Sequence, residues 1–138
     1  MQAPKNGFFY VIDRTNGKLI NAGQFIPGVN WASGYDLKTG RPIENPEARY
    51  YKTGKPFLAV PSAIAAHNWQ PMSFNPQAGL AYIPAQIVGS AYLNPSSDLD
   101  KAKPLGFNVG QDLGNAMYPR DPAAVKQAIA GATGRLVA

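Results

Sequence analysis

One short pattern recurs along this sequence and limits what it can build. Asp13-Arg14-Thr15-Asn16-Gly17-Lys18 and Asp36-Leu37-Lys38-Thr39-Gly40-Arg41 each read as an aspartate, three residues, a glycine and a cation. Asn75-Pro76-Gln77-Ala78-Gly79 is a partial third copy, and Gly134-Arg135 begins a fourth. Apolar residues flank them. Such a run makes a tight hairpin: the Asp or Asn oxygen accepts from turn amides, and the glycine supplies a positive φ at the end of the turn. The flanking segments then pair antiparallel. Hairpins of this kind serve any antiparallel β protein, and they also serve the repeated blades of a propeller. The recurring step from glycine to cation favours blades.

The first hairpin opens with a strand that is apolar on both sides. Phe8, Tyr10 and Ile12 share one face, and Phe9 and Val11 share the other. Both faces need cover, so a layer outside this sequence or a second chain is expected to meet them. The low charged content, 15%, points the same way, while 45% hydrophobic residues suffice for a core. Lys5 sits one turn ahead of this strand, at the mouth of the sheet, where a cation can act on a ligand.

Fourteen glycines and thirteen prolines make the chain rich in loops and poor in long helices. Strands are expected at 8–13, 18–25, 31–36, 57–60, 71–75 and 80–84. Residues 1–138 read as one unit, strand-rich over 1–43 and 57–86, with excursions at 44–56 and 88–119. One short helix is expected near the end, with Asp121 as N-cap, Pro122 in its first turn and Gly131 as its stop. Its apolar face would be Val125, Ala128 and Ile129. The last five residues read as a strand.

Several function classes are disfavoured. The formal charge is +5, but the cations are scattered and no nucleic-acid-binding motif accompanies them, so no nucleic acid is expected as partner. Without cysteine, no disulfide or thiolate metal site can form within the chain, and its one histidine excludes a His-rich metal site. The carboxylates form no evident acid–base pair. Phosphate-loop, dinucleotide and nucleophile-elbow motifs are missing. No run reaches transmembrane length. Met1-Gln2-Ala3-Pro4-Lys5 does not read as a signal peptide, so export would need a leader outside this sequence.

A second constellation is Ala66-His67-Asn68-Trp69-Gln70-Pro71-Met72-Ser73-Phe74-Asn75-Pro76. It places a histidine, an amide, an indole and another amide ahead of a strand. Donors, acceptors and a flat ring of this kind suit a planar, polar, aromatic ligand. They equally suit a structured loop whose tryptophan plugs a core. His67 has no carboxylate nearby in sequence and reads as a locally hydrogen-bonded loop residue.

Taken together, Ala3-Pro4-Lys5-Asn6-Gly7-Phe8-Phe9-Tyr10-Val11-Ile12-Asp13-Arg14, the His67-Asn68-Trp69-Gln70-Pro71 loop and Gly79-Leu80-Ala81-Tyr82-Ile83-Pro84 resemble the quinoprotein alcohol dehydrogenases, which use pyrroloquinoline quinone (PQQ). Asn30-Trp31-Ala32 and Arg41-Pro42-Ile43-Glu44-Asn45-Pro46 resemble the quinohaemoprotein type. The resemblance implies an all-β fold: about two blades of an eight-bladed β-propeller, with antiparallel sheets, long loops and at most one short helix. It implies a fragment of a periplasmic enzyme that oxidises primary alcohols with PQQ and Ca²⁺. Lys5 falls at the family's cation beside the quinone oxygens, and Asn68 and Trp69 fall on its Asn-Trp pair that contacts PQQ. The family's catalytic Asp, Ca²⁺ ligands and vicinal cysteines would lie upstream, so the resemblance assigns no catalytic residue and no metal ligand here. A haem c domain is possible downstream, and cytochrome c or that haem would take the electrons. Asn21 stands where the family's blade repeat carries a tryptophan. A different expectation also stands: a non-catalytic propeller-repeat module that binds a partner or assembles with copies of itself.

Overall fold

The computed structural model describes residues 1–92, 122, 123, 126, 130 and 132–138. These residues form small antiparallel sheets. β1 (Phe8–Ile12) pairs with β2 (Leu19–Gln24), and β3 (Ala32–Asp36) with β4 (Arg41–Glu44). β5 (Phe57–Ala59) pairs with β8 (Ser90–Tyr92). β7 (Leu80–Ile87) is the centre of a three-stranded sheet, between β6 (Ser73–Asn75) and β9 (Thr133–Val137).

The recurring turn is built alike in three places. Asp13 Oδ1 accepts from the Thr15 amide at 2.9 Å, and Asp36 Oδ1 accepts from the Lys38 amide at 2.9 Å. Asn75 Oδ1 accepts from the Gln77 amide at 2.9 Å. Gly17, Gly40 and Gly79 close these turns with φ of 76°, 68° and 67°. Each turn joins neighbouring strands, β1 to β2, β3 to β4 and β6 to β7. The fourth copy differs. Gly134 lies inside β9, paired with Gln86, and makes no turn.

The strands follow the sequence expectations with some exceptions. β4 is the return strand of the second hairpin, for which no bounds were set; β8 was not expected, and β7 runs to Ile87 rather than ending at 84. β8 falls within the expected 88–119 excursion and converts its first residues into the partner of β5; positions 93–119 lie outside the described residues. The 44–56 excursion folds into a 3₁₀ turn (Pro46–Ala48) and a one-turn helix α1 (Tyr50–Thr53). Asn45 caps the former by accepting from the Glu47 amide, and Gly54 ends the latter. Arg49 Nε donates to Glu44 Oε2 at 2.8 Å, tying the excursion back to the end of β4. Tyr50 stacks on Tyr92 of β8. Of the expected terminal helix, Pro122, Ala123, Lys126 and Ala130 are helical; its cap Asp121, its stop Gly131 and its apolar face lie outside the described residues. No helix of the described residues is long and apolar enough to cross a membrane.

The expected lack of cover over β1 is borne out unevenly. Phe8 is only 1% exposed, because Trp31 and Tyr35 of the second hairpin meet it edge-on, at 5.7 and 5.1 Å between ring centroids. Such contacts add about 0.5–1.5 kcal/mol each to simple burial. Ile12, at the far end of β1, is exposed, as are Ile20 of β2, Phe74 of β6 and Leu136 of β9. A small core of Ile26, Ala66 and Ala85 lies between the first hairpin and β7. Asn30 stitches the two halves: its amide donates to the Leu58 carbonyl at 2.7 Å and accepts from the Val60 amide at 2.8 Å.

Candidate functional site

Lys5 projects from the turn that precedes β1, and its side chain is exposed. The turn is held by the next residue. Asn6 Oδ1 accepts from the Phe8 amide at 3.1 Å, while its Nδ2 donates to the Tyr10 hydroxyl. Tyr10 donates onward to Tyr35. From the second hairpin, Trp31 Nε1 donates to the Asn6 carbonyl at 2.8 Å. Burial, followed by the bond to Tyr10, holds the Tyr35 phenol well above its ordinary pKa, so this chain stays neutral. Gly7 follows with φ of 88°. A Cβ there would lie 2.7 Å from Val29 Cγ2 and 3.3 Å from Ile26 Cγ1, so the backbone approach demands glycine twice over.

Asn68 and Trp69 stand on the loop between β5 and β6. Ala66 fixes that loop on β7: its amide donates to the Gln86 carbonyl at 2.8 Å, and Gln86 returns the bond at 2.7 Å. Ala66 has φ of 58°, a left-handed conformation. His67 is buried, 8% exposed, while Asn68 is exposed and Trp69 is 81% exposed. The tryptophan does not plug a core. His67 is more than a local loop residue: Nε2 meets the Gln70 carbonyl at 2.7 Å, but Nδ1 meets the Ala3 carbonyl, also at 2.7 Å, from 64 residues earlier. One imidazole thus joins the segment bearing Lys5 to the loop bearing Asn68 and Trp69.

A cavity of about 430 Å³ opens beside Lys5 and Asn6. Its walls include Trp31, Tyr50, Phe57 and Tyr92. Ser62 also lines it, 4% exposed, its hydroxyl without a hydrogen-bond partner among the described residues.

The side chains of Lys5, Asn68 and Trp69 make no hydrogen bond or ion pair among the described residues, which leaves an ammonium, an amide and an indole free to meet a ligand. An ammonium, an amide and an indole are all donors to oxygen acceptors. Among the described residues no three His, Cys, Asp or Glu side chains gather as a metal site. Sequence reasoning missed the supports: Asn6, Trp31, Tyr35 and the long-range bond of His67. The Asn6-Gly7 pair was a legible turn signal; the partners across hairpins carried none.

No family model matches the chain. It is 45% identical to the quinohemoprotein alcohol dehydrogenase ADH-IIG of Pseudomonas putida, over 100% of this chain and 19% of that protein. It is 62% identical to the quinohemoprotein alcohol dehydrogenase of Comamonas testosteroni, over 64% of this chain and 12% of that one. Among solved structures it is similar to a europium-containing methanol dehydrogenase, with a TM-score of 0.53 and 36% identity over 62% of this chain and 15% of the other. The chain thus spans about a fifth or less of the length of these relatives. By sequence and by fold, it is a homologue of one segment of the quinoprotein and quinohaemoprotein alcohol dehydrogenases.

Proposed function

We propose that this chain supplies part of the cofactor wall of a PQQ- and Ca²⁺-dependent alcohol dehydrogenase. The observation that carries this reading is the pair of loops presenting Lys5, Asn68 and Trp69, exposed and without hydrogen bonds among the described residues, and joined by His67. Bound PQQ would accept hydride from a primary alcohol. Lys5 would place a positive charge where negative charge develops on the quinone oxygens. Asn68 would donate its amide to quinone or carboxylate oxygens, and Trp69 would offer its N–H or pack at the rim. The cavity beside Lys5, with its aromatic walls, would take the hydrocarbon part of a small alcohol. The catalytic base and the Ca²⁺ ligands would come from outside this segment, as would any haem c. On this reading residues 1–138 are part of an eight-bladed propeller, contributing about two blades. The enzyme works in the periplasm and passes electrons to a cytochrome c or its own haem.

Replacing Lys5 tests the reading. In the full-length protein loaded with PQQ and Ca²⁺, Lys5→Ala should lower kcat about 100-fold or more, the scale of losing one preorganised electrostatic stabiliser. Unchanged turnover of ethanol would overturn it.

A second reading has its own support. Ile20, Phe74 and Leu136 leave apolar side chains exposed on three strands, with Leu136 at 70%. They favour a surface that packs against more propeller or another copy. Sedimentation of the purified chain tests this: self-association without PQQ affinity supports a non-catalytic assembly module, and a monomer that binds PQQ counts against it.

A further inference from the structure

We propose that His67 is the positioning residue of this site, setting the height and spacing of Lys5 against Asn68 and Trp69. The inference rests on the PQQ reading and deepens it. Ala3 lies two residues before Lys5, and Gln70 directly follows Trp69. His67 bonds to the backbone carbonyls of both at 2.7 Å. Because the contacts are to backbone, they move the segments themselves. Both partners are acceptors. A neutral imidazole carries one N–H and satisfies one of them; an imidazolium satisfies both.

The platform beneath His67 is stiff. Ala66 is 1% exposed, packs with Ile26 and Ala85, and exchanges two backbone bonds with Gln86 of β7. On the other side, Ala3 is 3% exposed, and the Gln2 and Tyr10 backbones bond reciprocally at 2.9 and 2.7 Å. Two anchored segments therefore meet through one buried ring, and the three ligand-facing side chains emerge from its two ends. Since the Lys5 and Asn68 side chains make no hydrogen bonds among the described residues, their placement falls to the backbone that His67 clamps. His67 touches neither substrate nor cofactor on this view.

The experiment is a double-mutant cycle in the full-length protein. PQQ affinity of the calcium-loaded apoprotein is read by quenching of tryptophan fluorescence, and kcat and KM are read with ethanol after loading. His67→Ala should weaken PQQ binding and lower kcat, each about 10–100-fold, the range found when groups that orient ligand-binding residues are removed. KM for ethanol should change less. His67→Asn, which keeps one donor, should recover part of the loss. In a Lys5→Ala background, His67→Ala should cost clearly less than it does alone, because much of its effect passes through Lys5. Equal losses in both backgrounds would overturn the proposal, as would unchanged PQQ affinity and kcat in His67→Ala. If His67→Ala yields no folded protein, His67→Asn in the two backgrounds makes the same comparison. A Lys5→Ala enzyme with full activity would instead overturn the PQQ reading itself.

Discussion

Trp31 donates its indole N–H to the carbonyl of Asn6 at 2.8 Å, so a residue at the entrance to β3 holds the turn that presents Lys5. The same ring lies edge-on to Phe8. Trp31→Phe keeps an aromatic ring and loses the bond. The expected cost is about 1 kcal/mol of local stability, seen as faster hydrogen exchange at the Phe8 amide, together with weaker PQQ binding. Unchanged exchange would show that the bond does not hold the turn.

Gly7→Ala should be more damaging. The left-handed backbone costs an alanine about 1–2 kcal/mol, and the clash with Val29 forces repacking of about 1–3 kcal/mol more. Faster exchange at the β1 and β2 amides and a lower denaturation midpoint are the expected readouts. Relief by Val29→Ala in the double variant would identify the clash as the cause.

Asn30→Ala breaks both side-chain bonds between the second hairpin and β5. With the Val60 amide and the Leu58 carbonyl left without that partner, a loss of about 2 kcal/mol is expected. Exchange at Val60 should quicken while the β1–β2 amides stay protected, because Asn30 joins two units rather than holding either together.

Acid should open the repeated turns. The Thr15 hydroxyl and amide hold the Asp13 carboxyl below its ordinary value of 3.8, and the Lys38 amide and Thr39 hydroxyl do the same for Asp36. A carboxylate with a depressed folded pKa stabilises above its unfolded pKa, and that contribution is lost as pH falls through the folded value. The turns should therefore keep their full protection above about pH 5 and lose it on acidification below 3.8. The Gly17 and Gly40 amides, which bond back to Asp13 and Asp36, report this by NMR. Asp13→Asn and Asp36→Asn should flatten the dependence.

The 138-residue chain by itself should not oxidise ethanol when given PQQ and Ca²⁺. Its described residues bring no carboxylates together as a metal site, and the sequence shows no acid–base pair. Measurable turnover by the purified chain would show that it carries the base after all.

Much of the local structure was legible because its causes are local. A side-chain oxygen bonds an amide two residues on, and a glycine takes a positive φ; neither needs a distant partner. Three copies of one turn therefore appeared where the sequence placed them. Gly134 matched the start of a fourth turn and also fell in the expected terminal strand; pairing with β7 draws the segment into that strand. β8 went unseen because three residues carry little periodicity, and only β5 makes them a strand. The motif residues Lys5, Asn68 and Trp69 stood out in the sequence, yet what holds them did not.

Sequence alone was enough for the hairpins and for the likeness to the quinoprotein alcohol dehydrogenases, and it singled out Lys5, Asn68 and Trp69, which the structure leaves exposed. Turn chemistry acts within a few residues, and long matched segments carry ancestry. Packing decided that His67 reaches back to Ala3, that Trp31 secures Asn6, and that Phe8 is covered while Ile12 stays exposed among the described residues. Those bonds join residues far apart along the chain, and their geometry exists only once the hairpins have packed.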